Sequence, residues 1–363
     1  MHALHRSRSA GRRVGLALAL LIGGGILTLT TQAGELLTVC PEGPPACGFS
    51  SIQEAVSVAP PGSTIVIQDG EYVGPVIVGN SLTLIGGGPH RVTIQKGVVV
   101  AGPFRVRLTG MTITGGLNGL QAQAPPGLPE QLSPLVVLDN LVIAGNAQNG
   151  IALFNYAQAV LTDVTITRNG LEILGNPIGG GIALRGSSRL TVEGRTVIRE
   201  NGANGISVMD EAQAQIRGQT FIARSGLNGI LVGGRARARI EDVIVRENGC
   251  FGISVADNAS AEITGGRVER NAKAGIHIGG PSSFIAGCQT LTEAPGHATA
   301  FVTGTTVAAN PIGVLVGDLS KEQDEATADL AFLTFVGNGC DLLVDPVAEK
   351  IVRTLGIYPQ PCS

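Results

Sequence analysis

Tryptophan is absent from this chain, tyrosine occurs three times, and aromatic residues make up 3% of 363 positions. A chain without tryptophan offers few aromatic platforms for a sugar-binding cleft. Charge is also scarce, at 15% of residues, with a formal net charge of −3. That balance argues against nucleic acid as a partner. No Cys-x-x-Cys and no cluster of histidines occurs among the six cysteines and five histidines, so neither a metal site nor a cofactor is expected. Beyond the first segment there is no apolar run long enough to span a membrane.

That first segment has the form of a secretory signal. Arg6, Arg8, Arg12 and Arg13 precede an apolar run from Val14 to about Leu29, and Thr31-Gln32-Ala33 supplies a small-x-small cleavage pattern. Residues 1–33 are therefore expected to be removed, with retention as an anchor the alternative, leaving a domain over 34–363 that is secreted, periplasmic or at the cell surface. Removal takes away four arginines and no acids, so the mature charge becomes 21 minus 28, or −7. All six cysteines lie in the exported part, where disulfides are permitted. Cys40 and Cys47 are expected to close a small loop, and Cys340 and Cys362 to tether a C-terminal tail over 340–363. Cys250 and Cys288 are left to pair or stay free.

What the chain has in abundance is glycine, 53 residues, and a repeat. Gly-Ile pairs begin at Gly205, Gly229, Gly252 and Gly275, spaced by 24, 23 and 23 residues. Each unit contains short alternating runs separated by turn residues, as in Ala238-Arg239-Ile240, Asp242, Val243-Ile244-Val245, Asn248 and Gly252-Ile253-Ser254-Val255. A fixed period of this length built from period-2 runs predicts an all-β fold: a single-stranded right-handed parallel β-helix of about ten coils, three short strands to a coil. Three residues before each turn asparagine stand Ile143, Ile166, Ile198, Ile222, Val245, Val268, Val307 and Phe335. These form the predicted inward stack, which a solenoid needs because one coil cannot bury its own face. The turn row itself reads Asn146, Asn169, Asn201, Ser225, Asn248, Asn271, Asn310 and Asn338. Asparagine tolerates left-handed backbone and its amides can bond from coil to coil, so the row is read as scaffold. Ser51-Ile52-Gln53-Glu54 is a capping-box pattern that predicts a short helix over 50–60, closing the N-terminal end of the stack.

Ser51 to Gly88 then carries a resemblance. The helix, Pro60-Pro61-Gly62-Ser63-Thr64-Ile65, Asp69-Gly70-Glu71-Tyr72 and Leu82-Thr83-Leu84-Ile85-Gly86 look like the opening of pectin methylesterases and of the wider right-handed β-helix repeat family, the pectate lyase-like superfamily. The later Asn-x-x-x-Gly-Ile units resemble that family's generic repeat. The resemblance implies the fold and does not bring a catalytic set. The Gln-Asp-Thr and Asp-Phe-x-Phe-Gly of pectin methylesterases, the Asn-Thr-Asp and Gly-His-Gly of polygalacturonases, the Arg-x-Pro-x-x-Arg of pectate lyases and the Asp-Pro-His-Asp of alginate epimerases are all missing. Gly296-His297 is followed by alanine.

Outward rows supply the functional candidates. The residues before the turn asparagines, Arg168, Glu200, Arg224, Glu247 and Arg270, alternate in sign and read as an exposed ion-pair ladder. Val142, Thr165, Val197, Phe221, Ile244 and Arg267 form a mostly apolar or β-branched stripe, either a docking surface or plain β-propensity. Arg235, Arg237 and Arg239 alternate along one run, with Gln213 and Gln215 one coil before and Ser260 and Glu262 one coil after. On one strand face they would present guanidinium groups to regularly spaced carboxylates, as along a uronic-acid polymer; a solvated strand neutralised by Glu262 is the bland alternative. Insertions at 121–133, 170–179, 280–304 and 317–329 break the period, and the last two are expected to bring His277, Glu293, His297, Asp318 and Asp324 near one another. Two function classes follow. One is a non-catalytic exported module that binds an acidic polysaccharide or a cell-surface protein; the other is a divergent polysaccharide lyase, hydrolase or esterase.

Overall fold

The 23-residue period becomes a stack of coils in which every strand pairs in parallel with the equivalent strand one repeat away. Ile198, Ile222, Val245 and Val268 are successive partners on the second strands, and Ile206, Ile230, Ile253 and Ile276 on the third. The computed structural model describes residues 34–363 apart from 126, 128–129, 174–175, 281–283, 286–287, 291–295, 318–324, 347–349, 361 and 363. The predicted leader, 1–33, lies outside the described residues. The first and second strands of all coils belong to one 22-stranded sheet, because two long strands, Arg105–Thr114 and Leu135–Ala144, run through the corner between them. The face of it made by the first strands is the first sheet; the third strands form a separate 11-stranded sheet, the third sheet, one strand more than the ten or so coils expected.

The inward rows are where the period puts them. Ile143, Ile166, Ile198, Ile222, Val245 and Val307 have no exposed surface and Val268 has 1%; Phe335 packs against the same core partly buried. A fully buried aliphatic side chain contributes roughly 1.5–3 kcal/mol, and here each also lies against its equivalents above and below.

The corner after the second strand explains the repeat's two invariant features. Asn169 Nδ2 donates to Asn201 Oδ1 at 3.1 Å, Asn248 Nδ2 to Asn271 Oδ1 at 2.9 Å, and the same oxygens accept the backbone N–H of the coil before. Asn169, Asn201, Asn248 and Asn271 are at most 2% exposed, so each amide is satisfied by its neighbour rather than by water. The left-handed residue is not the asparagine. Arg168, Glu200, Arg224, Glu247 and Arg270 have φ of 53–57°, and the turn asparagines do not. The reason is that the amide must point into the stack, so the residue before it takes the reversal and points its charge to solvent. The glycine of each Gly-Ile pair is required by close approach. A Cβ on Gly229 would lie 2.4 Å from Val245 Cγ1, 2.6 Å from Gly252 O and 2.8 Å from Asn248 Nδ2.

The N-terminal end closes as predicted. The helix runs Ile52–Val58, Ser51 Oγ accepts from Glu54 N–H, and Ile52, Ala55 and Val56 are buried against the first coils. Gln53 adds a contact that periodicity does not reveal: its amide accepts from Ile77 N–H at 2.7 Å and donates to Ile77 O at 3.2 Å, satisfying the first strand of the third sheet at its open edge. At the other end, the segment read as a tail contains two further solenoid strands, Cys340–Val344 and Lys350–Leu355. Disulfides join Cys40 to Cys47, Cys340 to Cys362, and also Cys250 to Cys288, the pair the sequence left open. Two insertions form antiparallel hairpins outside the solenoid, Leu171–Ile173 with Asn176–Ile178 and Phe284–Ile285 with Gln289–Thr290. No helix among the described residues is long and apolar enough to cross a membrane.

Candidate functional site

On the outer face of the first sheet, strands Arg189–Glu193, Gln213–Ile216 and Arg237–Glu241 lie side by side. Arg189, Gln213 and Arg237 are register partners in one outward row, and Thr191, Gln215 and Arg239 in the next. Glutamine is shorter than arginine, so Gln213 lies low between Arg189 and Arg237, and Thr191 and Gln215 lie low beside Arg239. This groove has a volume of about 250 Å³, and a second depression of about 320 Å³ continues it past Gln215, Arg217, Arg239 and Glu241.

The arginines differ in what they are free to do. Arg189 is ion-paired with Glu130. Arg239 is hydrogen-bonded to Glu241 and lies 3.8 Å from Glu262; the hydrogen bond to Glu241, then the two carboxylate charges, hold its pKa above the ordinary guanidinium value. Arg217 donates to Glu193 at 3.0 Å. Arg237 is exposed and has no ion pair or side-chain hydrogen bond among the described residues. Arg235 corrects the expectation of three guanidinium groups on one strand. The strand begins at Arg237, and Arg235 sits exposed in the preceding turn, after Gly234 with φ of 67°, outside the groove. In its place the groove has Arg189, which the sequence reading passed over because it lies 48 residues before Arg237 and two coils away. Glu262 pairs with Arg239 across one strand spacing, as its register required.

Of the second cluster the described residues include His277 and His297, which stand on different faces. His277 is on the third sheet, 3% exposed, with its ring stacked on Phe251 at 4.4 Å and Nδ1 3.0 Å from Ser254 Oγ. His297 opens a strand of the first sheet, on a different face of the solenoid; its Nδ1 is 3.1 Å from Glu325 Oε2 and its Nε2 2.9 Å from Thr327 Oγ1. The solenoid wall separates the two imidazoles, because the insertion before His297 returns the chain to the first sheet. Glu293, Asp318 and Asp324 lie outside the described residues. Among the described residues no group of three or more His, Cys, Asp or Glu side chains is placed to hold a metal ion.

Two outward features of the second strands take a definite form. The alternating row is an ion-pair ladder, with Glu200–Arg224 at 3.5 Å, Arg224–Glu247 at 3.6 Å and Glu247–Arg270 at 3.1 Å. Beside it Glu269, absent from every motif, is nearly buried under Arg267, Arg270 and Arg246. Burial pushes its carboxyl up, but the hydrogen bond and charge of Arg267, with Arg270 and Arg246 behind it, outweigh that and hold it below the usual carboxylate range. The apolar stripe is largely covered. The Arg246 guanidinium lies 4.9 Å from the centroid of the Phe221 ring, and Val142, Thr165 and Val197 are half-buried, leaving Ile244 exposed.

Parallel coils, an apolar bore, stacked asparagines and a helical plug define a right-handed parallel β-helix. Residues 96–290 match the family model described as the right handed beta helix region, and the chain belongs to that family. Similar solved structures include the periplasmic alginate epimerase AlgG, at 11% identity and a TM-score of 0.59 over 85% of this chain and 83% of that one. The A-module of the mannuronan C-5 epimerase AlgE6 of Azotobacter vinelandii is similar at 18% identity and a TM-score of 0.53, over 85% of this chain and 95% of that one. Pectate lyase Pel9A is similar at 12% identity and a TM-score of 0.51, covering 88% and 82%. At these identities the likeness is one of fold. No curated protein matches the sequence.

Proposed function

We propose that this chain is an exported, non-catalytic β-helix module that holds an acidic polysaccharide across the outer face of its first sheet. The observation that carries the reading is Arg237, an exposed guanidinium with no ion pair or side-chain hydrogen bond among the described residues, standing over a groove whose other polar walls are Arg189, Thr191, Gln213, Gln215 and Arg239. Arg189 and Arg237 are two strand spacings apart, roughly 9.6 Å. A polymer whose carboxylates recur along an extended chain can meet both, with the glutamine amides donating to its hydroxyl or ring oxygens. The similar structures support the ligand class, since they include alginate epimerases and a pectate lyase. Three disulfides fit an oxidising compartment. The mature charge of −7 gives no long-range pull on a polyanion, so recognition is local to the groove.

Affinity electrophoresis in pectate or alginate tests this. The protein is expected to be retarded at low salt, to be released as salt rises because exposed charges are screened within about 10 Å at 0.1 M, and to lose retardation in Arg237→Gln. Free migration of the wild-type protein in every acidic glycan, or equal retardation of the variant, overturns the reading. A second reading, a divergent polysaccharide-acting enzyme, rests on His297, whose imidazole is held by Glu325 on one nitrogen and faces the Thr327 hydroxyl on the other. New reducing ends or unsaturated products from the same glycans, abolished by His297→Asn, would favour it.

A further inference from the structure

In a chain with so few aromatic residues, Phe301 is 43% exposed in the middle of a sheet. It lies on the strand His297–Thr303 of the first sheet, two coils beyond the arginine groove and in the same outward row as Arg239. The four residues nearest it on that face are polar. Glu262 is its register partner on one side and Asp329 on the other, and Thr299 and Thr303 flank it along its own strand. Each acid is balanced by the next residue of the row: Glu262 lies 3.8 Å from Arg239, and Asp329 is 3.2 Å from Arg353. Read along the solenoid, the row is guanidinium, carboxylate, phenyl ring, carboxylate, guanidinium.

We infer that Phe301 is the platform of a subsite for a neutral sugar ring. The apolar area is that of one ring with a polar rim on every side. A stable protein interface needs roughly 800 Å² from each partner, far more than this, whereas the apolar C–H face of a single pyranose matches it. Carboxylates on both sides accept hydrogen bonds from ring hydroxyls and repel a uronate, while their arginines keep the patch near neutral overall. The subsite therefore takes an uncharged, hydroxyl-rich residue. It rests on the groove reading in one respect, that the ligand chain runs along the solenoid from Arg237 toward Phe301. The ligand is then a polysaccharide in which neutral residues accompany acidic ones, not a uniform polyuronate.

The two subsites are separable by salt and by ligand. The experiment is an NMR titration of the full chain with labelled phenylalanine rings, using neutral gluco-, manno- and xylo-oligosaccharides, alongside the acidic-glycan electrophoresis above. One ring signal, assigned to Phe301 by its loss in Phe301→Tyr, is expected to shift saturably with at least one neutral oligosaccharide. That binding should persist at salt concentrations that release acidic glycans. Read by isothermal titration calorimetry, because neither variant carries the reporting ring, Phe301→Ala should weaken it about tenfold or more and Phe301→Tyr should retain it; both variants replace an exposed side chain, and an unchanged circular dichroism spectrum checks their fold. No shift of the ring with any neutral oligosaccharide at roughly 10 mM overturns the inference, as does equal binding by Phe301→Ala. Neutral binding without acidic retention removes the groove reading and leaves this subsite standing alone; acidic retention without neutral binding does the reverse. A ring signal that shifts only with a protein partner also overturns it.

Discussion

At the corner that holds Asn146, Asn169, Asn248 and Asn271, successive coils repeat one side chain; on the outer face of the first sheet, they carry Arg189, Gln213, Arg237 and Ser260 in turn. Both rows are spaced by the same backbone ladder. The corner is buried, so each amide must find its partners within the stack, in the asparagine of the next coil and in backbone carbonyls such as Ile143 O and Ile166 O, and a side chain of the same shape in the same register fits those places. The outer face is wet. Water satisfies whatever polar group stands there, so residue type is free to vary, and the face can acquire a ligand without disturbing the fold. Ser225 shows the rule by breaking it: in the asparagine row it is buried, and its hydroxyl has no hydrogen-bond partner.

Substitutions separate the two regions, beginning with the bore on which both depend. Ile222→Asp puts an unpaired carboxylate into a dry stack at a cost of several kcal/mol, and no soluble secreted protein is expected; normal yield with an unchanged β-rich circular dichroism spectrum would refute the register. At the corner, Asn248→Ala orphans the Ser225 N–H, whose hydrogen bond Asn248 Oδ1 accepts at 3.0 Å, and removes one of the two donors to Asn271 Oδ1, leaving the Asn248 backbone N–H as the other. At about 1–3 kcal/mol for each buried group left unpaired, the denaturation midpoint should fall sharply in a chemical melt.

Glu269→Gln tests a place where the outer surface behaves like the corner, a carboxylate enclosed by three arginines. The variant should lose about 1–3 kcal/mol at neutral pH. Because the folded carboxyl titrates below its ordinary value of 4.5, its stabilisation is complete above that value and drains as the pH falls from there through the lowered one. The difference between wild type and variant should accordingly shrink in acid melts; a constant difference from pH 7 to pH 3 would assign the loss to packing rather than charge, within roughly the usual error of such melts. Ser225→Asn runs the corner comparison in the opposite direction. The new amide would stand in register between Asn201 and Asn248, with the same space beside Gly205 that Asn248 has beside Gly229, and should stabilise by about 1 kcal/mol. A fall in the midpoint would show that serine is there for room. Least of all, Arg237→Gln should leave the midpoint unchanged while abolishing acidic-glycan retention, the separation of stability from binding that the wet face permits.

The arithmetic of the repeat was enough to place Ile143 through Phe335 inward, to align the asparagines, to order the ion-pair ladder and to put a helix after Ser51. The helix follows from its capping box and the other three from the period, which between insertions converts sequence distance directly into height along the stack. The same arithmetic held Glu262 beside Arg239. It failed where the chain leaves the period or where a neighbour in space is far away in sequence. Insertions of unequal length before His277 and His297 concealed that the two imidazoles stand on different faces. The backbone reversal falls on Glu200 and Arg224 rather than on the asparagines, since only the packed corner decides which residue must point its side chain inward. Arg189 meets Arg237 across an intervening coil, Glu269 is enclosed by arginines from two strands, and Phe301 lies between Glu262 and Asp329. Sequence alone determined what each coil is; which outward residues share a patch was decided by stacking, because side chains on a solenoid meet across coils, at strand spacing, and not along the chain.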